Sequence, residues 1–181
     1  MTARTQPWIV VLRAVNVGGS GRMAMADLRA AVHAAGYPDA VTHIQSGNLV
    51  LSTADGAAAV EATIEAAIAD TFGFATSAMA RTVAQMRRLA DASPYPDEPD
   101  PSRIGVGFCK IRPTAASVRA LAARDFGRDR VAVHGTECFL WYPDGMGRSK
   151  MTGAVLERIL EVPLTVRNLR VTRALAALGG G

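Results

Sequence analysis

The sequence is poor in cysteine and has no long hydrophobic run. Only Cys109 and Cys138 occur among 181 residues, which excludes a disulfide framework and a cysteine-rich metal site, so we expect reduced intracellular thiols. The apolar run nearest the start, Trp8–Leu12, is too short for a secretory signal core or for a membrane span. We therefore expect a cytoplasmic protein that makes no membrane contact.

Histidine and lysine are also scarce, and the familiar catalytic signatures are missing. The three histidines, His33, His43 and His134, are far apart and lack metal-ligand spacing. No serine lies in the glycine-flanked turn of a nucleophile elbow. With 49% hydrophobic and 20% charged residues, the chain is an ordinary globular protein rather than a disordered or fibrous one. We expect no metal and no cofactor.

The positive charge is mostly arginine and is concentrated towards the C-terminus. Arginine accounts for 18 of the 20 basic residues, and the formal net charge is +4. Between Arg148 and Arg173 there are six cations and two acids, so this window alone has the net charge of the whole chain. Arginine binds phosphate and carboxylate through two parallel hydrogen bonds. An anionic partner, a solvated helix face and a GC-rich genome all remain open as explanations.

Hydrophobic periodicity predicts an α+β fold with two ferredoxin-like halves packed together. The first half has the split order β-α-β-β-α-β of such domains, with strands at Trp8–Val15, Ala40–Gln45, Asn48–Ser52 and Thr76–Arg81, and helices at Met23–Ala35 and from an Asp55 N-cap to Phe72. After a short helix at Val83–Asp91, the second half repeats this order loosely. Its predicted strands are Ile104–Ile111, Arg130–His134, Glu137–Tyr142 and Leu164–Arg167, and its helices are Pro113–Ala123, Met151–Leu160 and Asn168–Leu178.

A proline-rich stretch near the middle of the chain suggests the boundary between the halves. Four prolines lie between Pro94 and Pro101, and such a stretch cannot continue a helix or a central strand. We predict an N-terminal half over 1–92, a linker over 93–102, and a C-terminal half with a final helix over 103–181. A loop that follows the protein surface is the alternative for the proline-rich stretch.

The first candidate site is a glycine loop between the first strand and the first helix. It reads Leu12-Arg13-Ala14-Val15-Asn16-Val17-Gly18-Gly19-Ser20-Gly21-Arg22. Glycines let backbone N–H groups approach an anion, and a helix N-terminus adds partial positive charge. The loop formally matches a dinucleotide fingerprint, but no acidic residue ends the next strand, and the strand order is wrong for that fold. A flexible turn is the plain alternative.

A second glycine loop contains two cations. It reads Gly145-Met146-Gly147-Arg148-Ser149-Lys150-Met151, and we predict that a helix starts at its end. Cations at a helix start oppose the helix dipole by a few tenths of a kcal/mol unless an anion is bound. The loop therefore has the composition of an anion site.

Two further motifs are polar and lie at predicted turns. Thr165-Val166-Arg167-Asn168 precedes the last helix, where Asn168 is a good N-cap. Gln45, Ser46 and Asn48 flank a tight hairpin turn, and turn chemistry also explains such residues.

These four motifs resemble those of the bacterial DUF1697 family, a domain of unknown function. Its L-R-G-I-N-V-G-G is similar to the stretch from Leu12, its T-x-I-Q-S-G-N to the stretch from Thr42, its G-x-G-R-[ST]-K-L to the stretch from Gly145, and its T-x-R-N-W to the stretch from Thr165. Leu169 stands where the family usually has tryptophan. The resemblance implies an α+β fold with two ferredoxin-like halves, and it transfers no mechanism.

We predict a phosphate-bearing ligand, a nucleotide or a nucleic acid, bound where the motif loops of the two halves meet. The predicted ligand-binding residues are Arg13, Asn16, Gly18, Gly19, Gln45, Ser46, Asn48, Arg148, Lys150, Arg167 and Asn168. One alternative is an enzyme acting on a phosphorylated small molecule, with Lys150 or His43 as the acid–base group. Another is a structural or regulatory protein that docks a partner chain through these loops. Whether any reaction is catalysed stays open.

Overall fold

Two antiparallel sheets of four strands form the framework of the chain, one in each of its two units. The computed structural model describes residues 4–16 and 22–180. One unit consists of Met1–Arg87 with Leu175–Gly181, and the other of Arg88–Ala174. Within the described residues, no helix combines the length and apolar character needed to cross a membrane.

The first unit has the split order that the periodicity predicts. Its elements are β1 (Gln6–Leu12), α1 (Met25–Ala34), β2 (Val41–Thr42), β3 (Asn48–Thr53), α2 (Ala57–Phe72), β4 (Ala78–Thr82) and the start of α3 (Val83–Asp91). The strands lie in the order β2-β3-β1-β4. Alternate β1 residues such as Val10 and Leu12 pack against Leu28, Ile64 and Ile68 of the helices, because successive strand residues point to opposite faces.

The second unit repeats this arrangement element by element. It contains β5 (Ile104–Cys109), α4 (Ala115–Ala122), β6 (Arg130–His134), β7 (Glu137–Trp141), a 3-10 turn (Met146–Arg148), α5 (Gly153–Leu160), β8 (Leu164–Asn168) and most of α6 (Leu169–Leu178). The sheet order is β6-β7-β5-β8, equivalent to that of the first unit. The predicted α+β fold of two ferredoxin-like halves is therefore confirmed.

The sheet face turned away from the helices is also buried in both units. Ile9 of β1 and Val106 of β5 point to this face, and each is fully buried. Arg81 pairs with Ile9 and Arg167 pairs with Val106 in the strand register, and both arginines are 7% exposed. The two units thus place a buried arginine at equivalent positions of their last strands.

Three strands end two or three residues earlier than the hydrophobic pattern predicts, and one of them is β5, which ends at Cys109 rather than Ile111. β1 ends at Leu12 rather than Val15, because Ala14 and Asn16 adopt φ angles of 53° and 55°, which a strand cannot contain. β2 ends at Thr42 rather than Gln45, because Ile44 has a φ of 51°. The predictions for β1 and β2 therefore extended each strand too far at its C-terminal end.

Several predicted helix starts are wrong: α1 begins at Met25 rather than Met23, and α4 begins at Ala115 rather than Pro113. Asp55 is not the N-cap of α2, which begins after Gly56. The Asp55 carboxylate accepts a hydrogen bond from the Tyr37 hydroxyl at 3.1 Å, and its carbonyl accepts one from Trp8 Nε1 at 3.1 Å. Likewise, α5 begins at Gly153 and not at Met151, because the Thr152 side chain caps it by accepting a bond from the Val155 N–H.

The proline-rich stretch contacts strand β7 in the second unit. The rings of Tyr95 and Trp141 stack with centroids 6.1 Å apart, and Trp141 Nε1 donates to Glu98 Oε2 at 2.8 Å. Burial raises the pKa of Tyr95 to about 12, and the bond from Trp141 lowers that of Glu98. The first unit ends at Arg87 and the second begins at Arg88, which is before the predicted linker. The proline-rich stretch belongs to the second unit because Tyr95 packs on β7.

The chain returns to the first unit after residue 174. Gly179 is buried there, and a Cβ at this position would lie 2.6 Å from Val83 Cγ2 and 3.2 Å from Ile9 Cδ1. Only glycine fits such a close approach to side chains of α3 and β1. Leu175–Gly181 therefore completes the first unit, although the prediction assigned these residues to the C-terminal half.

Glutamates on the helices cap the outer edge of each sheet. In the first unit, the N–H groups of Ala78 and Ala80 in edge strand β4 donate to Glu65 Oε1 at 2.7 Å and Glu61 Oε1 at 2.8 Å. In the second unit, the N–H of Leu164 in β8 donates to Glu157 Oε1 at 3.0 Å. These carboxylates satisfy edge donors that would otherwise offer a place for another strand to pair.

Candidate functional site

Five of the predicted site residues belong to a loop cluster in the first unit, defined as Arg13, Asn16, Gln45, Ser46 and Asn48. The structure brings several of them together. Asn16 Nδ2 donates to the carbonyl oxygens of Met23 at 3.0 Å and Gln45 at 2.9 Å. Asn16 Oδ1 accepts the Met23 N–H at 2.9 Å. The Asn16 side chain therefore joins the loop after β1 to the hairpin, while Gly18 and Gly19 lie outside the described residues.

Asn48 holds the other side of the loop cluster. It is fully buried, and its Nδ2 donates to the His43 carbonyl at 2.9 Å and to Ser46 Oγ at 3.0 Å. The intervening Gly47 has a φ of 72°, and a Cβ there would lie 3.1 Å from the Cβ atoms of Leu12 and Val15. The Asn16 and Asn48 amides thus have structural roles, and ligand binding by them stays a prediction.

The loop cluster also contains unusual backbone conformations. Of the four non-glycine residues with positive φ in the described part of the chain, Asn16 belongs to the loop cluster, and Ala14 and Ile44 adjoin its members Arg13 and Gln45 in sequence. Asparagine tolerates this region, but a β-branched residue such as isoleucine adopts it at a cost. The hydrogen bonds made by Asn16 are one contribution that holds this arrangement.

We expect Asn16→Ala to destabilise the loop cluster. The substitution removes three hydrogen bonds and leaves a non-glycine residue at positive φ, so the cost is about 1–2 kcal/mol. Amide hydrogen exchange of Met23, whose N–H donates to Asn16 Oδ1, would report the change, with faster exchange expected in the variant. Asn16→Gly is the matched control, because it loses the same bonds but relieves the backbone and should cost less. Unchanged exchange at Met23 would contradict this role.

In the second unit, two predicted residues line a cleft of about 350 Å³, which we call the Arg148 cleft. Its walls are the loop before β6 and the segment that follows β7. The lining residues are 125–129, Asp144, Gly145 and 148–150. Arg148 and Lys150 belong to this set and are exposed. A cleft of this size falls in the range of small-molecule sites.

The carboxylates of the Arg148 cleft all have internal partners. Asp144 pairs with Arg128 at 2.9 Å, and Asp125 Oδ1 accepts the Gly127 N–H at 2.8 Å. Asp129 Oδ2 accepts the hydroxyl of Ser149 at 2.5 Å. By contrast, neither Arg148 nor Lys150 forms an ion pair with any residue that the structure describes. The two cations are therefore left to attract an anion from solution.

The remaining predicted residues, Arg167 and Asn168, do not line this cleft. Arg167 is buried, and its Nη1 donates to Thr165 Oγ1 at 2.7 Å and to the Val166 carbonyl at 3.0 Å. Burial lowers its pKa to about 10, so the guanidinium stays protonated at neutral pH. Asn168 Oδ1 accepts the Val171 N–H at 2.9 Å and caps α6. Strands β6 and β8 form opposite edges of the sheet, about 14 Å apart.

Sequence reasoning missed Arg128, Asp129 and Asp144 as cleft residues. They lie in plain turns, and nothing local marks them. It also missed Arg81, which occupies in β4 the position that Arg167 occupies in β8. Here a signal existed, because each arginine precedes a polar residue that comes directly before a helix, and aligning the two halves would have revealed the pair.

The two cysteines are buried thiols. A hydrogen bond with Cys109, together with burial, raises the pKa of the Cys138 thiol well above its usual value. A thiol held in this way is protonated and weakly reactive at neutral pH. Among the described residues, no three His, Cys, Asp or Glu side chains are grouped so that they could hold a metal ion.

Comparisons with known proteins extend these observations. A family model described as a protein of unknown function (DUF1697) matches residues 5–139. No curated protein matches the sequence. Among solved structures, the conserved bacterial protein SP0830 from Streptococcus pneumoniae is similar with a TM-score of 0.76 and 17% sequence identity, over 97% of this chain and 99% of that chain. At this identity, the likeness concerns the fold alone.

Proposed function

The chain belongs to the DUF1697 family, and from this premise we propose that it binds a phosphate-bearing ligand in the Arg148 cleft. The observation that supports the proposal is the charge pattern of the cleft. Its carboxylates are matched by internal donors, whereas Arg148 and Lys150 are exposed and have no acidic partner among the described residues. A phosphate group would supply that partner, with the arginine fork able to bind two of its oxygens.

A nucleotide fits the cleft better than a nucleic acid. RNA-binding modules of similar sheet topology stack bases on an open sheet face. Here the corresponding face is buried in each unit, as Ile9 and Val106 illustrate. The cleft of about 350 Å³ suits a ligand of nucleotide size. Binding of RNA or DNA along the exposed arginines is the alternative outcome of the titration described below.

The two other functions predicted from the sequence have less support. His43 lies beside the loop cluster, and its backbone N–H and carbonyl are both bonded to Asn48. A docking role for the loops would use exposed apolar residues, of which Ile44 is 47% exposed, yet no partner chemistry follows from it. The reduced cysteines favour a cytoplasmic location.

The proposal predicts that the Arg148→Ala/Lys150→Ala variant loses nucleotide affinity. Each cation that contacts phosphate contributes about 1.5–3 kcal/mol, so we expect at least about a hundredfold weaker binding of ATP. Isothermal titration at two ionic strengths measures both the affinity and its salt dependence. The wild-type affinity should fall as salt rises, and the variant should show a smaller slope.

A charge-matched control separates a site from general electrostatics. Arg119→Ala/Arg158→Ala removes the same charge from exposed helix positions of the second unit outside the cleft. This control should bind ATP with nearly wild-type affinity. Equal losses of ATP affinity in the two double variants would show that the effect comes from net charge alone. The absence of ATP binding to the wild type at low salt would refute the proposal. Tighter binding of RNA or DNA than of ATP would favour the polymer.

A further inference from the structure

We propose that Ser149 is a phosphoryl acceptor, modified by a nucleoside triphosphate bound in the Arg148 cleft. The inference rests on the proposed function, since it needs the triphosphate in that cleft. It adds a chemical step and a modification site to binding. Ser149 lies between Arg148 and Lys150 in sequence and lines the cleft with them.

The Ser149 hydroxyl already has a base. Its Oγ donates to Asp129 Oδ2 at 2.5 Å, which is the distance range of a hydroxyl bound to an ionised carboxylate. The same oxygen accepts the Met151 N–H at 2.8 Å. A serine hydroxyl has one proton and two lone pairs. With the proton held by Asp129 and one lone pair held by Met151, a second lone pair remains to attack phosphorus.

The surrounding charges suit phosphoryl transfer. Such reactions depend on positioning the nucleophile and on neutralising the charge of the transferred group. Arg148 and Lys150 are the neighbours of Ser149 in sequence, and both are exposed to the cleft. Asp129 plays the part of the base that takes a hydroxyl proton. These residues supply a nucleophile, a base and two countercharges within one cleft.

The step is balanced as a transfer to serine. Ser149 Oγ attacks the terminal phosphorus of the triphosphate, which is supplied as its magnesium complex. A new Oγ–P bond forms while the bond between that phosphorus and the oxygen bridging to the diphosphate breaks. The hydroxyl proton passes to Asp129, and the bridging electron pair leaves with the nucleoside diphosphate. Phosphoserine and the nucleoside diphosphate are the products, and no oxidant or reductant is required.

The modification would in turn close the cleft to further ligand. Phosphoserine has a charge near −2 at neutral pH, so it would repel Asp129 and pair with Arg148 and Lys150. The cations that attract a nucleotide would then be neutralised by the chain's own phosphate. We therefore expect the phosphorylated protein to bind a nucleotide more weakly than the unmodified one.

The test is to incubate the full chain with ATP and magnesium and to follow its mass. We expect a gain of one phosphoryl group on Ser149, located by peptide mass spectrometry, and no gain in Ser149→Ala. Asp129→Asn should slow the transfer about 10²–10⁴-fold, the usual contribution of a general base. Asp97→Asn is the matched control, because this exposed carboxylate of the second unit lies outside the cleft lining, and the variant should transfer at the wild-type rate.

Binding is measured separately so that the two proposals can fail independently. A non-hydrolysable ATP analogue is titrated into wild type and into Asp129→Asn, which should bind it at least as well because a carboxylate has been removed. Analogue binding without any mass gain overturns the acceptor role and leaves the proposed function intact. Transfer that is undiminished in Asp129→Asn, or that is found on other residues, also overturns it. If the analogue does not bind at all, both proposals are refuted.

Discussion

Replacing Gly107 by alanine is expected to lower the free energy of unfolding of the second unit by about 3 kcal/mol, the upper end for overpacking a core. Gly107 lies in β5 opposite Cys138 of β7, and a Cβ there would be 2.2 Å from the Cys138 sulfur. Cys138 is fully buried, so its side chain has no open space to move into. Strand geometry is not the issue, because this glycine has no positive φ.

A double-mutant cycle tests this clash. With Cys138→Ala in place, the next neighbours of an added Cβ are Leu164 Cδ1 at 3.4 Å and the Cys138 carbonyl at 3.7 Å, which are ordinary contacts. Gly107→Ala should then cost less than about 1 kcal/mol, giving a coupling near 2 kcal/mol. Urea unfolding followed by Trp141 fluorescence in a Trp8→Phe background reports on the second unit. A coupling near zero would contradict the steric explanation.

Glu61→Leu is expected to lower the free energy of unfolding of the first unit by about 2–3 kcal/mol. Glu61 is 9% exposed, and its carboxylate accepts the Ala80 N–H at 2.8 Å. Leucine retains the apolar volume but leaves a buried edge N–H without this acceptor, and a lost bond to a charged group costs about that amount. Urea unfolding followed by Trp8 fluorescence in a Trp141→Phe background measures the change.

Two controls isolate the hydrogen bond made by Glu61. Glu61→Gln keeps an oxygen that accepts the Ala80 N–H, so its cost should be less than half that of leucine. Asp70→Leu makes the same kind of change at an exposed position of α2 and should stay within about 0.5 kcal/mol of wild type. If glutamine destabilises as much as leucine, the edge bond is not the source of the effect.

Local patterns were enough to predict the fold. Val83–Asp91 and Arg130–His134 have the bounds predicted for them, because apolar periodicity and flanking glycines are signals that lie within the element. The same holds for Gly73, which ends α2 in the left-handed region at φ 73°. The incorrect predictions arose at residues that bond to groups distant in sequence. Asp55 looks like a helix cap in sequence, but Tyr37, which lies 18 residues away, takes its carboxylate.

The candidate site was only half visible in the sequence for a related reason. Arg148 and Lys150 stand out because they follow a glycine turn, and that signal is local. Asp129 and Asp144 reach the same cleft from loops that are far from each other in sequence, and only the pairing of β6 with β7 brings them together. No sequence signal distinguishes a carboxylate that has an internal partner from one that has none. The charge balance of the cleft could therefore be determined only from the structure.

The return of Leu175–Gly181 to the first unit bears on how the chain is made. Domains usually fold from the N-terminus while translation continues. Here β1 and α3 emerge early, yet Gly179, which packs on both of them, follows the whole second unit in sequence. The second unit has its full complement of residues once position 174 has emerged, so during biosynthesis the later half can mature before the earlier one.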